Sequence, residues 1–153
     1  MNCGQNVVSK AAWVEDGMAT FLRDTRVSPG TKHQKLSGGS LVSNEYNNAS
    51  ATLSVPTVDF SRWLLSQTSQ GDHVTVKMDI EGAEFKVLPK MVADGSLRRV
   101  HTLIIEVHDY FYTPEQGGAG QDAARYLGNS DMWRRLREQM RAVAPRMRIF
   151  LQK

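Results

Sequence analysis

VTVKMDIEGAEFKVLPKMVADGSLRRVHTLIIEVHD, residues 74–109, changes its hydrophobic period twice. It opens on a short β-branched run, VTVKMDI, that ends in acidic residues and reads as a strand. The next stretch, EGAEFKVLPKMVADGSL, predicts a helix with Phe85, Leu88 and Val92 on one face and Gly95 near its end. Pro89 has no amide hydrogen, so it is expected to kink this helix or to begin a second turn. Residues 100–107, VHTLIIEV, return to strand, and the apolar triple Leu103, Ile104 and Ile105 predicts burial on both faces.

The alternation continues outward from this unit. Downstream, HDYFYTPEQGGAGQD reads as a loop with glycine hinges, followed by a helix over about residues 131–144 and a last strand, RIFLQ. Upstream, ATLSVPTVDF is a strand that Pro56 confines to an edge or an end, and Asp59 is placed to cap the helix FSRWLLSQT. Residues 6–14 and 17–23 read as two strands of a β-hairpin around Glu15-Asp16-Gly17. Residues 28–50, rich in Gly, Ser and Asn, read as a long surface loop. The expected fold is α/β: one mainly parallel sheet flanked by helices, with an N-terminal β-hairpin, in a single domain covering residues 1–153.

Composition narrows the function classes. A chain of this size removes roughly 68–70% of its unfolded surface from water, enough for one core. Its 41% hydrophobic and 23% charged residues are ordinary for a globular protein. No apolar run reaches the ~20 residues of a membrane span, and MNCGQNVVSK lacks the apolar centre of a secretory signal, so a cytoplasmic location is expected. The single Cys3 can form no intramolecular disulfide and no thiolate metal cluster. Asn48-Ala49-Ser50 matches a glycosylation acceptor, which without a secretory signal is read as coincidence. The net charge of +3 is concentrated in residues 131–153, which hold seven Lys/Arg against two Asp/Glu. Trp133, Leu136, Met140 and Val143 recur there at helical spacing, which puts the arginines on a solvated face. No aromatic platform accompanies the charge, so no nucleic-acid partner is expected.

The chemistry gathers at two strand ends. In doubly wound sheets ligands sit outside the carboxyl ends of the strands. One strand delivers Lys77, Asp79 and Glu81, which share a face at i, i+2 spacing until the chain turns at Gly82. Its neighbour delivers Glu106 and His108. Five ionisable groups at the ends of two buried strands are costly to desolvate unless they are paired or handle a substrate. The structural alternative is that Lys77 pairs with Glu106 or Glu84 to hold strand to helix.

The elements VPTVDF, VKMDIEGAEFKVL and VHTLIIEVH, in that order, resemble the FkbM-type methyltransferases. That family's pattern carries a Leu-Asp or Val-Asp element, a Lys-x-Asp-x-Glu-Gly-Ala-Glu element and a Glu-x-His strand end. KAAWVEDGMATFLRD and SGGSLVSNE resemble its stretch after the third strand and the loop that follows, so the resemblance covers roughly residues 6–110. It implies a Rossmann-like class I methyltransferase fold, in part, and S-adenosylmethionine as the cofactor. It also implies methyl transfer to a hydroxyl on a sugar or small natural product. On that reading Asp79 stands beside the methyl donor or binds a cation, and His108 is the candidate base. Glu81 and Glu106 orient these two or grip the acceptor, Lys77 balances their charge, and Gly82, on the cofactor side with Asp79, lets the strand turn into its helix.

The sequence departs from that pattern ahead of residues 6–14, where the family carries a strand, a glycine-rich turn and an acidic residue for the adenosine ribose. MNCGQN offers one glycine, and Gly117-Gly118-Ala119-Gly120 follows the wrong strand. VTVKMDI is therefore expected to keep an open edge, as in a fragment, a misassigned gene start, or a chain whose edge a second copy or a partner chain covers. Two other readings stand beside methyl transfer. One is an inactive remnant serving as a binding module. The other is a metal-dependent hydrolase using Asp79, Glu81, Glu106 and His108 around a divalent cation, although no His-Glu-x-x-His spacing is present.

Overall fold

The computed structural model describes residues 7–24, 39–43, 47–113, 116, 118 and 130–152. Cys3, residues 28–38 and 44–46 of the stretch read as a loop, and Gly117, Ala119 and Gly120 lie outside the described residues. The elements are β1 (Ala11–Trp13), β2 (Gly17–Asp24), β3 (Asn47–Asp59), α1 (Phe60–Gln67), β4 (Val74–Met78), α2 (Glu84–Ala93), β5 (Val100–Glu106), α3 (Asp131–Val143) and β6 (Arg148–Gln152). Short 3-10 turns follow α2 and β5, at Ser96–Arg99 and Asp109–Phe111. No helix among the described residues is long and apolar enough to cross a membrane.

The alternation of strand and helix after residue 73 is as the sequence implies. β4, β5 and β6 form an all-parallel sheet in that order, with Val76 opposite Leu103 and Leu103 opposite Ile149. Parallel neighbours need a crossover, and α2 and α3 supply the two. These helices touch one another, and the core lies between them and the sheet face carrying Val76, Met78, Leu103 and Ile105. The opposite face is more open, with Lys77 and Phe150 exposed and Ile104 only half-buried, so β5 is not buried equally on both sides. β4 has no strand beyond it among the described residues, so the open edge expected for VTVKMDI is present.

The N-terminal hairpin does not form. β1 and β2 are separated by β3, which pairs with β1 in parallel and with β2 antiparallel; Thr57 stands opposite both Ala11 and Gly17. Residues 14–16 arch over the end of β3 instead of closing a two-strand turn. Two hydrogen bonds fix the arch: the Thr57 hydroxyl donates to the Glu15 carbonyl at 2.9 Å, and the Asp59 amide donates to the Asp16 carboxylate at 3.2 Å. The antiparallel hairpin is β2 with β3, and its far end takes in Asn47–Ser50, which the sequence placed in a loop. This part of the chain is therefore a second, three-stranded sheet, and no single sheet runs through the fold. Pro56 sits in the central strand, but β1 covers only Thr57–Asp59, so at Pro56 the strand has a partner on one side only. The edge requirement of proline is met locally.

Side chains cap α1 and α3, whereas α2 begins after Ala83 with no side-chain cap. The Asp59 carboxylate accepts the Arg62 amide at 3.0 Å and ends β3 by starting α1, and the Ser130 hydroxyl accepts the Trp133 amide at the start of α3. In α3, Trp133, Leu136 and Met140 are buried and Val143 half-buried, as the spacing predicts. α2 runs through Pro89 to Ala93 without ending there. Its buried stripe is Glu84, Val87, Leu88 and Met91, with Phe85 beside it and Val92 only half-buried, so the face is rotated from the expected one and includes a carboxylate. Replacing Asp59 by Ala removes the α1 cap and the 3.4 Å contact of Lys90 with that carboxylate. A loss of about 1 kcal/mol in unfolding free energy is expected from chemical denaturation.

Candidate functional site

The site is assembled where β4 and β5 end. β4 stops at Met78, and the chain leaves it through Asp79-Ile80-Glu81-Gly82-Ala83 into α2. Because Asp79 and Glu81 lie past the last strand residue, the i, i+2 rule no longer orients them. Glu81 adopts φ 53° and Gly82 φ 91°, two successive left-handed residues. For Glu81 that conformation costs about 1–2 kcal/mol. Three contacts hold the turn: Ser40 donates its hydroxyl to the Glu81 carbonyl, Tyr112 donates its hydroxyl to the Gly82 carbonyl at 2.9 Å, and Ile80 donates its amide to Glu84 Oε1 at 2.9 Å. A Cβ at Gly82 would lie 2.9 Å from Phe111 Cδ2, so both space and φ require glycine there.

His108 lies at the centre. It lies two residues past the end of β5, is 2% exposed, and is flanked by the rings of Phe111 and Tyr110 with centroids 5.3 and 5.8 Å away. Its Nδ1 is 2.9 Å from Glu84 Oε1. Its Nε2 faces three carboxylates: Glu81 at 3.5 Å, Glu106 at 3.8 Å and Asp79 at 3.9 Å. Glu84 is fully buried, whereas Asp79, Glu81 and Glu106 reach the surface. Two strand ends and one helix thus bring four carboxylates around one imidazole.

This arrangement raises two proton affinities. Burial alone would lower the His108 pKa, but the hydrogen bond to Glu84 and the charges of Glu84, Glu81 and Glu106 outweigh it, and the imidazole is held above its ordinary 6.5. Burial raises the Glu81 carboxyl, and the charges of Asp79, Glu84 and Glu106 push the same way against the pull of His108. Burial likewise raises the Tyr112 phenol, which stays a hydrogen-bond donor to the turn.

Of the residues singled out in the sequence, Asp79, Glu81, Glu106 and His108 come together and Gly82 forms the turn beneath them. Lys77 does not join them. It is exposed on β4 and takes no part in the ion pairs of the site; neither its pair with Glu106 nor that with Glu84 forms among the described residues. Glu84 and Ser40 were given no part in the site by the sequence reading. Glu84 carried a signal, since it falls at i−3 and i−4 to Val87 and Leu88 on the apolar stripe of α2. Ser40 carried none beyond its place in SGGSLVSNE, because its contact with Glu81 spans 41 positions.

The sequence model of the family described as Methyltransferase FkbM domain matches residues 4–143. The chain belongs to this family. No curated protein and no solved structure matches it. The mixed α/β fold with an all-parallel sheet is consistent with a class I methyltransferase domain, and the FkbM elements at residues 76–88 and 100–108 are the ones that build the site. FkbM membership implies S-adenosylmethionine, which carries positive charge, and the donor set suits a cation: four carboxylates face one imidazole, with no lysine or arginine as their ion-pair partner among the described residues. Donor atoms of Asp79, Glu81 and His108 lie within 4.8 Å of one another, close enough to share a small cation as well. Two cavities among the described residues lie away from this rim, one against Arg137, Arg141 and Leu151, the other against Arg98, His101 and Pro145.

Both raised groups bind protons more tightly in the folded chain than in the unfolded one, so their stabilisation is complete at low pH and is lost as pH rises. For Glu81 the loss begins above its ordinary 4.5, and for His108 above 6.5. Denaturation midpoints measured across this range are expected to fall with increasing pH, and His108→Gln is expected to remove the part above pH 6.5. A wild-type midpoint that rises between pH 6.5 and 8 contradicts this assignment.

Proposed function

We propose that this chain transfers the methyl group of S-adenosylmethionine to a hydroxyl oxygen of a sugar or small natural product, at the rim formed by Asp79, Glu81, Glu106 and His108. The convergence of three rim carboxylates on His108 Nε2, with the ring held from behind by Glu84, carries the reading. When bound, the cofactor supplies a methyl on a sulfonium sulfur: the acceptor oxygen forms the new C–O bond, the C–S bond breaks with its electron pair going to sulfur, and the hydroxyl proton must leave.

The chain's own residues supply what that displacement needs. Alignment of the acceptor falls to Glu81 and Glu106, which are partly exposed and able to accept hydrogen bonds from substrate hydroxyls. Asp79, the most exposed of the four, faces the cationic donor. His108 Nε2 is the proton acceptor, and its positive charge is then shared with carboxylates already in place, so little reorganisation is required. Lys77, set apart on β4, has no step.

The test is calorimetric titration of the chain with S-adenosylmethionine, joined to transfer of a labelled methyl group onto a panel of sugars and small polyhydroxylated compounds. Micromolar binding and transfer are expected. His108→Gln should slow transfer by about 10²–10⁴-fold, the usual contribution of a positioned base. Neither binding nor transfer would favour an inactive binding module, and transfer unaffected by His108→Gln would remove His108 from the chemistry.

A further inference from the structure

We infer that Glu84 is the positioning residue of this site, setting which nitrogen of His108 faces the rim; the inference rests on the methyltransferase reading for its consequence in catalysis, not for its geometry. Glu84 touches no rim carboxylate and no solvent. It sits on the buried stripe of α2, fully enclosed, and its Oε1 receives two contacts at 2.9 Å, from the Ile80 amide and from His108 Nδ1. The Ile80 amide can only donate, so it fixes Oε1 as an acceptor and with it the reach of the carboxylate. An ionised carboxylate has no proton to give, so the Nδ1 contact requires the hydrogen on Nδ1. A neutral imidazole then carries its lone pair on Nε2, the atom that stands 3.5 to 3.9 Å from Glu81, Glu106 and Asp79.

The alternative tautomer is unfavourable in this geometry. With the hydrogen on Nε2 and the lone pair on Nδ1, two acceptors would face each other in a site that excludes water, and the fully buried Glu84 would lose the only side chain that donates to it among the described residues. Glu84 Oε2 already has no hydrogen-bond partner among the described residues, so the compensation they provide for burying this carboxylate comes through Oε1. The same oxygen ties down Ile80, in the middle of the turn that presents Asp79 and Glu81. One buried atom therefore sets both the ring's orientation and the start of the rim.

Glu84→Gln keeps the size of the side chain and removes its charge. The ring nitrogen shifts of 15N-histidine-labelled chain, read without any cofactor, report the tautomer directly. Wild-type His108 is expected to show its hydrogen on Nδ1 in the neutral form, and Glu84→Gln to show a mixture or the reverse. In the transfer assay Glu84→Gln should lower kcat at least 10-fold while KM changes less than 3-fold. Asp59→Ala, a destabilised variant at the α1 cap and away from the site, should leave both where they are in the wild type. The inference is overturned by an Nε2–H tautomer in the wild type, by an unchanged tautomer in Glu84→Gln, or by a kcat loss that Asp59→Ala reproduces. Should the chain transfer no methyl group at all, the nitrogen shifts still decide the role of Glu84, so failure of the function and failure of the inference are told apart.

Discussion

A buried carboxylate on the apolar stripe of α2 meets the imidazole at the end of β5, and the arrangement of the site follows from that contact. Burying an ionised carboxylate is costly unless it is paired and hydrogen-bonded. Glu84 meets that condition with two donors from two different elements, His108 after β5 and Ile80 after β4. The parallel pairing of β4 and β5 brings both strand ends to the same rim, and α2 starts directly beneath it. Without Glu84 the turn 79–83 and the segment after β5 would still be joined by the Tyr112 hydroxyl donating to the Gly82 carbonyl, but His108 would lose its tie to the turn through Ile80.

The first sheet contributes to this site through a single side chain. Ser40 is bridged to Leu22 of β2 by two backbone hydrogen bonds, and its buried hydroxyl donates to the carbonyl of Glu81 while accepting the Val42 amide at 2.8 Å. The carbonyl it holds belongs to the non-glycine residue with left-handed φ, so a residue bridged to the edge of the first, mixed sheet supports the least favourable backbone conformation in the turn that leaves the parallel one. Backbone strain of this kind persists where surrounding contacts over-determine it. Here Ser40, Tyr112 and Glu84 do so from three directions, which explains why Glu81 reaches the rim although no strand or helix carries it.

What was legible in the sequence was whatever depends on local period and capping. VTVKMDI, VHTLIIEV and RIFLQ read as strands, Asp59 read as a cap, and the amphipathic spacing of Trp133, Leu136 and Met140 gave α3. The rim residues Asp79, Glu81, Glu106 and His108 were legible because ionisable groups at buried strand ends are costly without a purpose. Pairing between distant segments was not. Residues 6–23 carry the pattern of a hairpin, but Thr57–Asp59 enters between the two strands, and nothing local to Glu15-Asp16-Gly17 announces it. Lys77 failed for a different reason: alternation along β4 is real, but the strand ends at Met78, so Lys77 stays on the open face while Asp79 and Glu81 turn away from it.

The charge of the site bears on how it can work. Four carboxylates around one imidazole leave a net negative rim even when His108 is protonated, and the exposed arginines of α3 enter none of the ion pairs around His108. Within this cluster the imidazole, hydrogen-bonded to Glu84 and surrounded by carboxylate charge, holds its proton above the ordinary value. A cationic ligand arriving at Asp79 offsets part of that carboxylate charge and repels the imidazolium, so the proton on Nε2 becomes easier to lose as the ligand binds. Glu84, buried behind the ring, keeps the Nδ1 proton in place through this change. On the proposed function, the nitrogen released is then the one that would face the acceptor, and binding of the positive group would ready the proposed base.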